Sequence, residues 1–198
     1  TLKLLIQDTI DEDDLERYND YLSVILSNWA VHYFNEGKYQ LAFDKFVLAL
    51  QYNENNPDIY FNLAKTNFKI KNYEEAILQF HKALELSPDD AEIQLNIGYV
   101  YDEMKNYKMA INHYRNCLRI NPKNYKARFA LGVVYATQGM YREAIEQFKH
   151  SLSVNNRHVD AHYNLALAYE HINKIDEAIK EYKTVLDLQP NHTEAINN

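Results

Sequence analysis

Over residues 57–90 the apolar positions fall into two stripes separated by a break. Tyr60, Leu63, Ala64 and Phe68 follow Pro57 at the i, i+3, i+4 spacing of a helix with one buried side. The stripe stops near Lys71 and Asn72, then restarts with Tyr73, Ala76, Ile77, Phe80, Ala83, Leu84 and Leu86. Pro57 suits a first helical turn, and Pro88 ends the second stripe because proline disfavours helical geometry in the residue before it. The segment therefore predicts a helix A, a short turn and a helix B.

The same pattern returns every 34 residues, giving units 23–56, 57–90, 91–124, 125–158 and 159–192 without insertion or deletion. Positions within a unit are called places one to thirty-four. Place twenty is Ala in every unit (Ala42, Ala76, Ala110, Ala144, Ala178). Place eight is always small (Ala30, Ala64, Gly98, Gly132, Ala166). Place twenty-four is always aromatic (Phe46, Phe80, Tyr114, Phe148, Tyr182), and place twenty-eight is Leu each time (Leu50, Leu84, Leu118, Leu152, Leu186). A two-helix unit of this size cannot bury its own apolar face, so the period predicts stacked helical pairs. The small places let backbones approach closely, and the aromatic and Leu fill the space beyond.

With these residues the chain resembles the tetratricopeptide repeat family. Unit 91–124 shows the family pattern in Ile97, Gly98, Tyr101, Ala110, Tyr114 and Pro122, with Cys117 at the small twenty-seventh place. Asn67 departs from the family tyrosine, and Glu54 and Asn156 from the family proline. The resemblance covers residues 23–192 and is specific for fold and not for role. It implies an all-α, right-handed superhelical solenoid of helix-turn-helix repeats, whose inner surface is lined by helix A at places two, five, six, nine, twelve and thirteen.

Those places name a candidate groove. Place five presents Ser27, Phe61, Leu95, Phe129 and Tyr163; place nine Val31, Lys65, Tyr99, Val133 and Leu167; place twelve adds Phe34 and Phe68. An exposed apolar wall of this kind suits an apolar or amphipathic peptide, or else packs between neighbouring A helices. Place six gives Asn28, Asn62, Asn96, Ala130 and Asn164, and amide side chains match the C=O and N–H of an extended peptide. This set is similar to the asparagine ladder in the repeat domain of the glycosyltransferase that adds N-acetylglucosamine to Ser and Thr, broken here at Ala130. A second family use, a clamp for C-terminal carboxylates, does not fit: in its best register Phe61, Lys65, Asn96, Lys126 and Ala130 leave the forking charges misplaced or missing. Groove charges alternate, with Lys65 and Lys69, then Glu92, Asp102 and Glu103, then Lys126, then Asp160 and Glu170, which favours a specific register over generic attraction.

Charge and composition narrow the classes further. The net charge is −7, and residues 1–22 account for −5 of it with seven acids against two bases. Without clustered Lys and Arg there is no nucleic-acid surface to propose. No apolar run of ~18 residues exists, so direct membrane insertion is not expected. Cys117 is the single cysteine, which excludes internal disulfides and a thiolate zinc site and says little about compartment. The localisation is unknown from the sequence, with a cytoplasmic setting favoured. His158 and His162 lie four apart without a third ligand nearby in sequence, so no metal and no cofactor are expected, and neither a phosphate loop nor a nucleophile motif points to an enzyme.

Residues 1–22 fall outside the repeat. Asp13 or Asp14 is expected to cap a helix running through Leu15, Tyr18, Tyr21 and Leu22 into the first unit as an N-terminal cap; alternatively, Leu2, Leu4, Leu5 and Ile6 form a self-association or partner segment. Residues 193–198 look like the start of a sixth helix A, and the chain reads as a piece of a longer protein. The expected role is a non-enzymatic protein-interaction scaffold that holds a partner peptide or helix on Asn28, Phe61, Asn62, Lys65, Phe68, Lys69, Leu95, Asn96, Tyr99, Lys126, Phe129, Tyr163 and Asn164. Two alternatives stay open: self-assembly through the end faces as a homo-oligomer, and the substrate-recruiting part of a larger enzyme.

Overall fold

The computed structural model of the chain describes residues 11–197. Leu2, Leu4, Leu5 and Ile6 lie outside the described residues. The rest is all-α: α1 (Glu12–Asn35), α2 (Tyr39–Leu50), α3 (Pro57–Lys69), α4 (Tyr73–Leu86), α5 (Ala91–Glu103), α6 (Tyr107–Ile120), α7 (Tyr125–Thr137), α8 (Tyr141–Val154), α9 (Val159–His171), α10 (Ile175–Leu188) and α11 (Thr193–Asn197). They divide into two compact bodies, one reaching Asp89 and one starting at Asp90. In the N-terminal body α1 pairs with α2 and α3 with α4, and α2 packs on α3. In the C-terminal body the pairs are α5/α6, α7/α8 and α9/α10; α6 packs on α7, α8 on α9, and α11 on α10.

Local chemistry sets the helix ends. Asn56, Asp90 and Asn124 cap α3, α5 and α7, each accepting a hydrogen bond from a backbone N–H of the first turn. At α1 the cap position falls to Asp11; Asp13 and Asp14 lie inside the first turn with Glu12, where the helix dipole favours all three negative charges. Residues 12–22 therefore lengthen the first helix A. Each turn from helix A to helix B passes through one residue in the left-handed region, always at place fifteen: Gly37 (φ 74°), Lys71 (64°), Lys105 (58°), Gly139 (74°) and Asn173 (58°). Side chains other than glycine are strained there by roughly 1–2 kcal/mol, partly offset by the chain entropy that glycine loses. Lys71→Gly and Lys105→Gly are each expected to raise stability by roughly 0.5–1 kcal/mol, measured by urea denaturation.

The core follows the small and aromatic places. Ala42, Ala76, Ala110, Ala144 and Ala178 are all buried, as are Phe46, Phe80, Tyr114, Phe148 and Tyr182. Where place eight is Gly the ring lies directly on the helix A backbone. A Cβ on Gly132 would stand 2.6 Å from the Phe148 ring, and one on Gly98 closer still to the Tyr114 ring.

Candidate functional site

Helix A carries the candidate residues in both bodies, and one arrangement recurs. Each place-five ring is braced by the place-twenty-four ring of its own unit: Phe61 on Phe80 (centroids 5.7 Å apart), Phe129 on Phe148 (5.8 Å) and Tyr163 on Tyr182 (5.9 Å). These rings are half-buried, so one side is held by the core while the other remains accessible. His158 meets Phe129 edge-on at 4.7 Å, and His192, also at place thirty-four, packs on Tyr163 at 4.9 Å.

Leu95 breaks the pattern and corrects the sequence reading. It is 1% exposed, a core residue and not part of an accessible wall. In its unit the bracing contact moves one helical turn along, where Tyr99 meets Tyr114 at 5.8 Å in an edge contact. Burial pushes the Tyr99 phenol up to about 12, so it stays protonated at neutral pH.

The place-six asparagines are tied to their own helices. Asn62, Asn96 and Asn164 each donate Nδ2–H to the carbonyl of place two, at 2.9 Å to Asp58, 2.8 Å to Glu92 and 2.8 Å to Asp160. One amide proton is thereby spent within the helix, which fixes the side chain; Asn62 and Asn164 keep the other donor and the carbonyl oxygen for a ligand, while Asn96 Nδ2 also donates to Glu92 Oε1 at 3.5 Å and keeps its carbonyl oxygen. Asn28 is exposed on α1. In the N-terminal body Lys65 places Nζ 5.6 Å from the Phe34 ring and 5.2 Å from the Phe61 ring, a cation held between two aromatic faces. Phe68 is half-buried against Tyr73 (5.9 Å), and Lys69 is exposed. In the C-terminal body Lys126 is exposed at the start of α7.

Behind this face lie polar contacts that the repeat pattern did not announce. Places four and twenty-three pair across helices A and B in three successive units: Gln94 with His113 (2.8 Å), Arg128 with Gln147 (3.1 Å) and His162 with Glu181 (2.6 Å). Tyr182 donates to Glu170 at 2.7 Å, and the buried Tyr114 hydroxyl lies beside Asp102, at the equivalent place. Burial raises Asp102, with Glu103 adding to the effect. The same burial pushes Cys117 up to about 11, which keeps it a thiol at neutral pH.

His162 has a second acceptor: Nε2 lies 3.1 Å from the Asn156 carbonyl, opposite the Glu181 contact at Nδ1. Two acceptors require two N–H donors, so the imidazolium is the satisfied form, and the Glu181 hydrogen bond raises His162 above its ordinary 6.5. His158 moves the other way, lowered by burial. A raised folded-state pKa adds stability that is fully present below the unfolded value and disappears as pH rises through the folded one. Urea denaturation is therefore expected to show stability falling as pH climbs above 6.5, and Glu181→Gln to flatten that slope. A slope unchanged by Glu181→Gln places its origin elsewhere.

Among the described residues, no group of three or more His, Cys, Asp or Glu could hold a metal ion, and no helix is long and apolar enough to cross a membrane.

The family model described as TPR repeat matches residues 68–105, and that described as anaphase-promoting complex, cyclosome, subunit 3 matches residues 103–185. No curated protein sequence matches the chain. Among solved structures, MamA is 24% identical over 83% of this chain and 96% of its own, with a TM-score of 0.74. YrrB is 24% identical over 87% and 89%, with a TM-score of 0.69, and its structure is described as that of a TPR protein with an unusual peptide-binding site. PilF of Pseudomonas aeruginosa is 18% identical over 89% and 81%, with a TM-score of 0.80. At these identities the structures share the fold. By fold and by repeat the chain is a tetratricopeptide repeat protein.

Proposed function

We propose that the helix A face binds a peptide or helix of a partner protein, and that the role is recruitment and not catalysis. The observation that carries this is the row of braced, half-buried rings: Tyr99, Phe129 and Tyr163 in the C-terminal body and Phe61 in the N-terminal body. A ring already fixed from behind loses little freedom when a ligand covers its open side, so it is a preorganised anchor. Asn62, Asn96 and Asn164, each oriented by its own helix, supply amide groups beside those rings for a peptide backbone. Lys65 adds a positive charge in the N-terminal body, and Lys126 one in the C-terminal body. Peptide binding by YrrB, a protein of the same fold, is consistent with this reading.

Selection of a displayed peptide library on the wild-type chain provides ligands for the test. Phe129→Ala and Tyr163→Ala are each expected to weaken a ligand of the C-terminal body roughly ten-fold, and Phe61→Ala a ligand of the N-terminal body similarly. Helicity by circular dichroism controls for folding. Selected ligands whose affinity ignores all three substitutions place the site away from helix A and overturn the proposal.

A further inference from the structure

At two successive steps in the C-terminal body, place twenty-five of helix B meets place eleven of the following helix A. Between α6 and α7 these are Arg115 and Tyr135, and Arg115 Nη2 donates to the Tyr135 hydroxyl at 2.9 Å. Between α8 and α9 they are Lys149 and Tyr169, and Lys149 Nζ stands 5.6 Å from the ring centroid. Place eighteen, two turns earlier on helix B, is basic at both steps, as Lys108 and Arg142. The later step adds a third cation at place sixteen, Lys174, where the earlier one has Met140.

Here the arrangement opens into a cleft of about 340 Å³, lined by Arg142, Ile145, Lys149, Tyr169, Ile172 and Lys174. Its floor is apolar: Ile145 and Tyr169 are buried and Ile172 is half-buried. Its rim is cationic. Arg142, Lys149 and Lys174 are all exposed, and Lys174 Nζ stands 6.0 Å from the same Tyr169 ring. One acid answers them: Glu177 Oε1 holds Lys174 Nζ at 2.9 Å, and the Lys149 charge also acts on it. Among the described residues neither Arg142 nor Lys149 forms an ion pair. Glu143 and Glu146 share α8 with them but do not line the cleft. Like charges gathered this way repel one another, and an anion in the cleft would relieve that repulsion.

We propose that this cleft binds an acidic segment of a partner protein, with an apolar side chain on the floor and flanking carboxylates at the rim. Three cations against one carboxylate leave a local surplus of positive charge in a chain whose net charge is −7. That surplus steers an acidic segment to this spot, while the net charge repels it elsewhere. Arg142 offers a planar fork that can pair a carboxylate through two hydrogen bonds, and the two ammonium groups act as point charges. Glu177 fills part of the rim until the carboxylates of the ligand replace it. The surplus is confined to one cleft with Glu143 and Glu146 on the same helix, which suits a short acidic segment and not the continuous phosphates of a nucleic acid. None of the rings proposed above as anchors on helix A lines this cleft.

The probe is a fluorescein-labelled peptide with one leucine between two pairs of aspartates, titrated with the full chain at low salt and followed by fluorescence anisotropy. Saturable binding is expected, at least ~10-fold tighter than that of the counterpart with asparagines for the aspartates, and weakened by added salt. Arg142→Gln and Lys149→Gln are each expected to weaken it several-fold, and the double variant more than ~10-fold, with helicity retained. Lys183→Gln removes the same charge from an exposed position of α10 outside the cleft, and is expected to change affinity less than ~2-fold. Glu177→Gln is expected to tighten binding several-fold by removing the internal competitor, an effect that a merely structural cluster would not give. The Phe129→Ala, Tyr163→Ala variant is expected to bind the probe as the parent does, which separates this cleft from the helix A face. Four results overturn the proposal: no saturable binding, equal affinity for the asparagine peptide, equal losses from Lys149→Gln and Lys183→Gln, and an oligothymidylate of the same charge that binds as tightly as the peptide.

Discussion

Phe148→Ala is expected to destabilise the C-terminal body by about 3–5 kcal/mol, the usual cost of deleting a buried ring when the cavity cannot collapse. Phe148 is fully buried, lies on the backbone at Gly132 and braces Phe129 at 5.8 Å. Ala144, one turn before it on the same helix, is also fully buried, and the ring lies against Gly132, so its surroundings are already filled and the cavity is not expected to close completely. Urea denaturation followed by circular dichroism measures the loss, and Phe129→Ala supplies the comparison. Phe129 is only half-buried, so its removal is expected to cost about 1 kcal/mol. In a stack where each unit leans on its neighbours, the ring deletion should also lower the cooperativity of unfolding. A cost below ~1 kcal/mol for Phe148→Ala would mean that place twenty-four does not carry the junction between helices A and B.

How much of this was legible in the chain depends on which residues repeat. The helical pairs follow from Ala at place twenty and the aromatic at place twenty-four, because these are spaced by the period and buried in every unit. The braced rings were visible as aromatics at place five, but whether they face a ligand or the core is decided by packing. Leu95 shows the limit: the same place in the same helix is drawn inward once Tyr99 takes over the contact with Tyr114. The paired polar places four and twenty-three went unread because the repeat family pattern expects a large apolar group at place four, whereas Gln94, Arg128 and His162 stand there. Their partners lie nineteen residues on, a distance that no helical period flags. One covariation is readable in the sequence. Place twelve is acidic in the two units where place twenty-four is Tyr, as Asp102 with Tyr114 and Glu170 with Tyr182, and is Phe or Ala where that place is Phe. Trp29 went unread for a different reason. At place seven it looks like one more core residue, and only the structure shows that it is 55% exposed.

Gly98→Val is expected to cost roughly 2–3 kcal/mol, near the upper end of overpacking in a filled core. A methyl at this position would already meet the Tyr114 ring at a separation that real Cβ atoms do not show, and valine adds two further carbons. Valine recovers part of the helix-propensity penalty of glycine, about 0.5 kcal/mol, and the steric cost exceeds it. The opposing argument comes from the repeat itself, since Ala30, Ala64 and Ala166 occupy place eight opposite Phe46, Phe80 and Tyr182. Those units accommodate a Cβ beside a buried ring. Tyr114 cannot move aside easily, because its ring is fully buried, meets Tyr99 edge-on at 5.8 Å and carries its hydroxyl beside Asp102. Gly98→Ala is the finer test: it is expected to destabilise by about 1 kcal/mol net of its propensity gain, and to lose most of that cost when combined with Tyr114→Leu. A Gly98→Ala variant more stable than the parent would show that the Tyr114 ring makes room for a Cβ as the rings of the alanine units do. The glycine would then be a tolerated residue and not one that the ring requires.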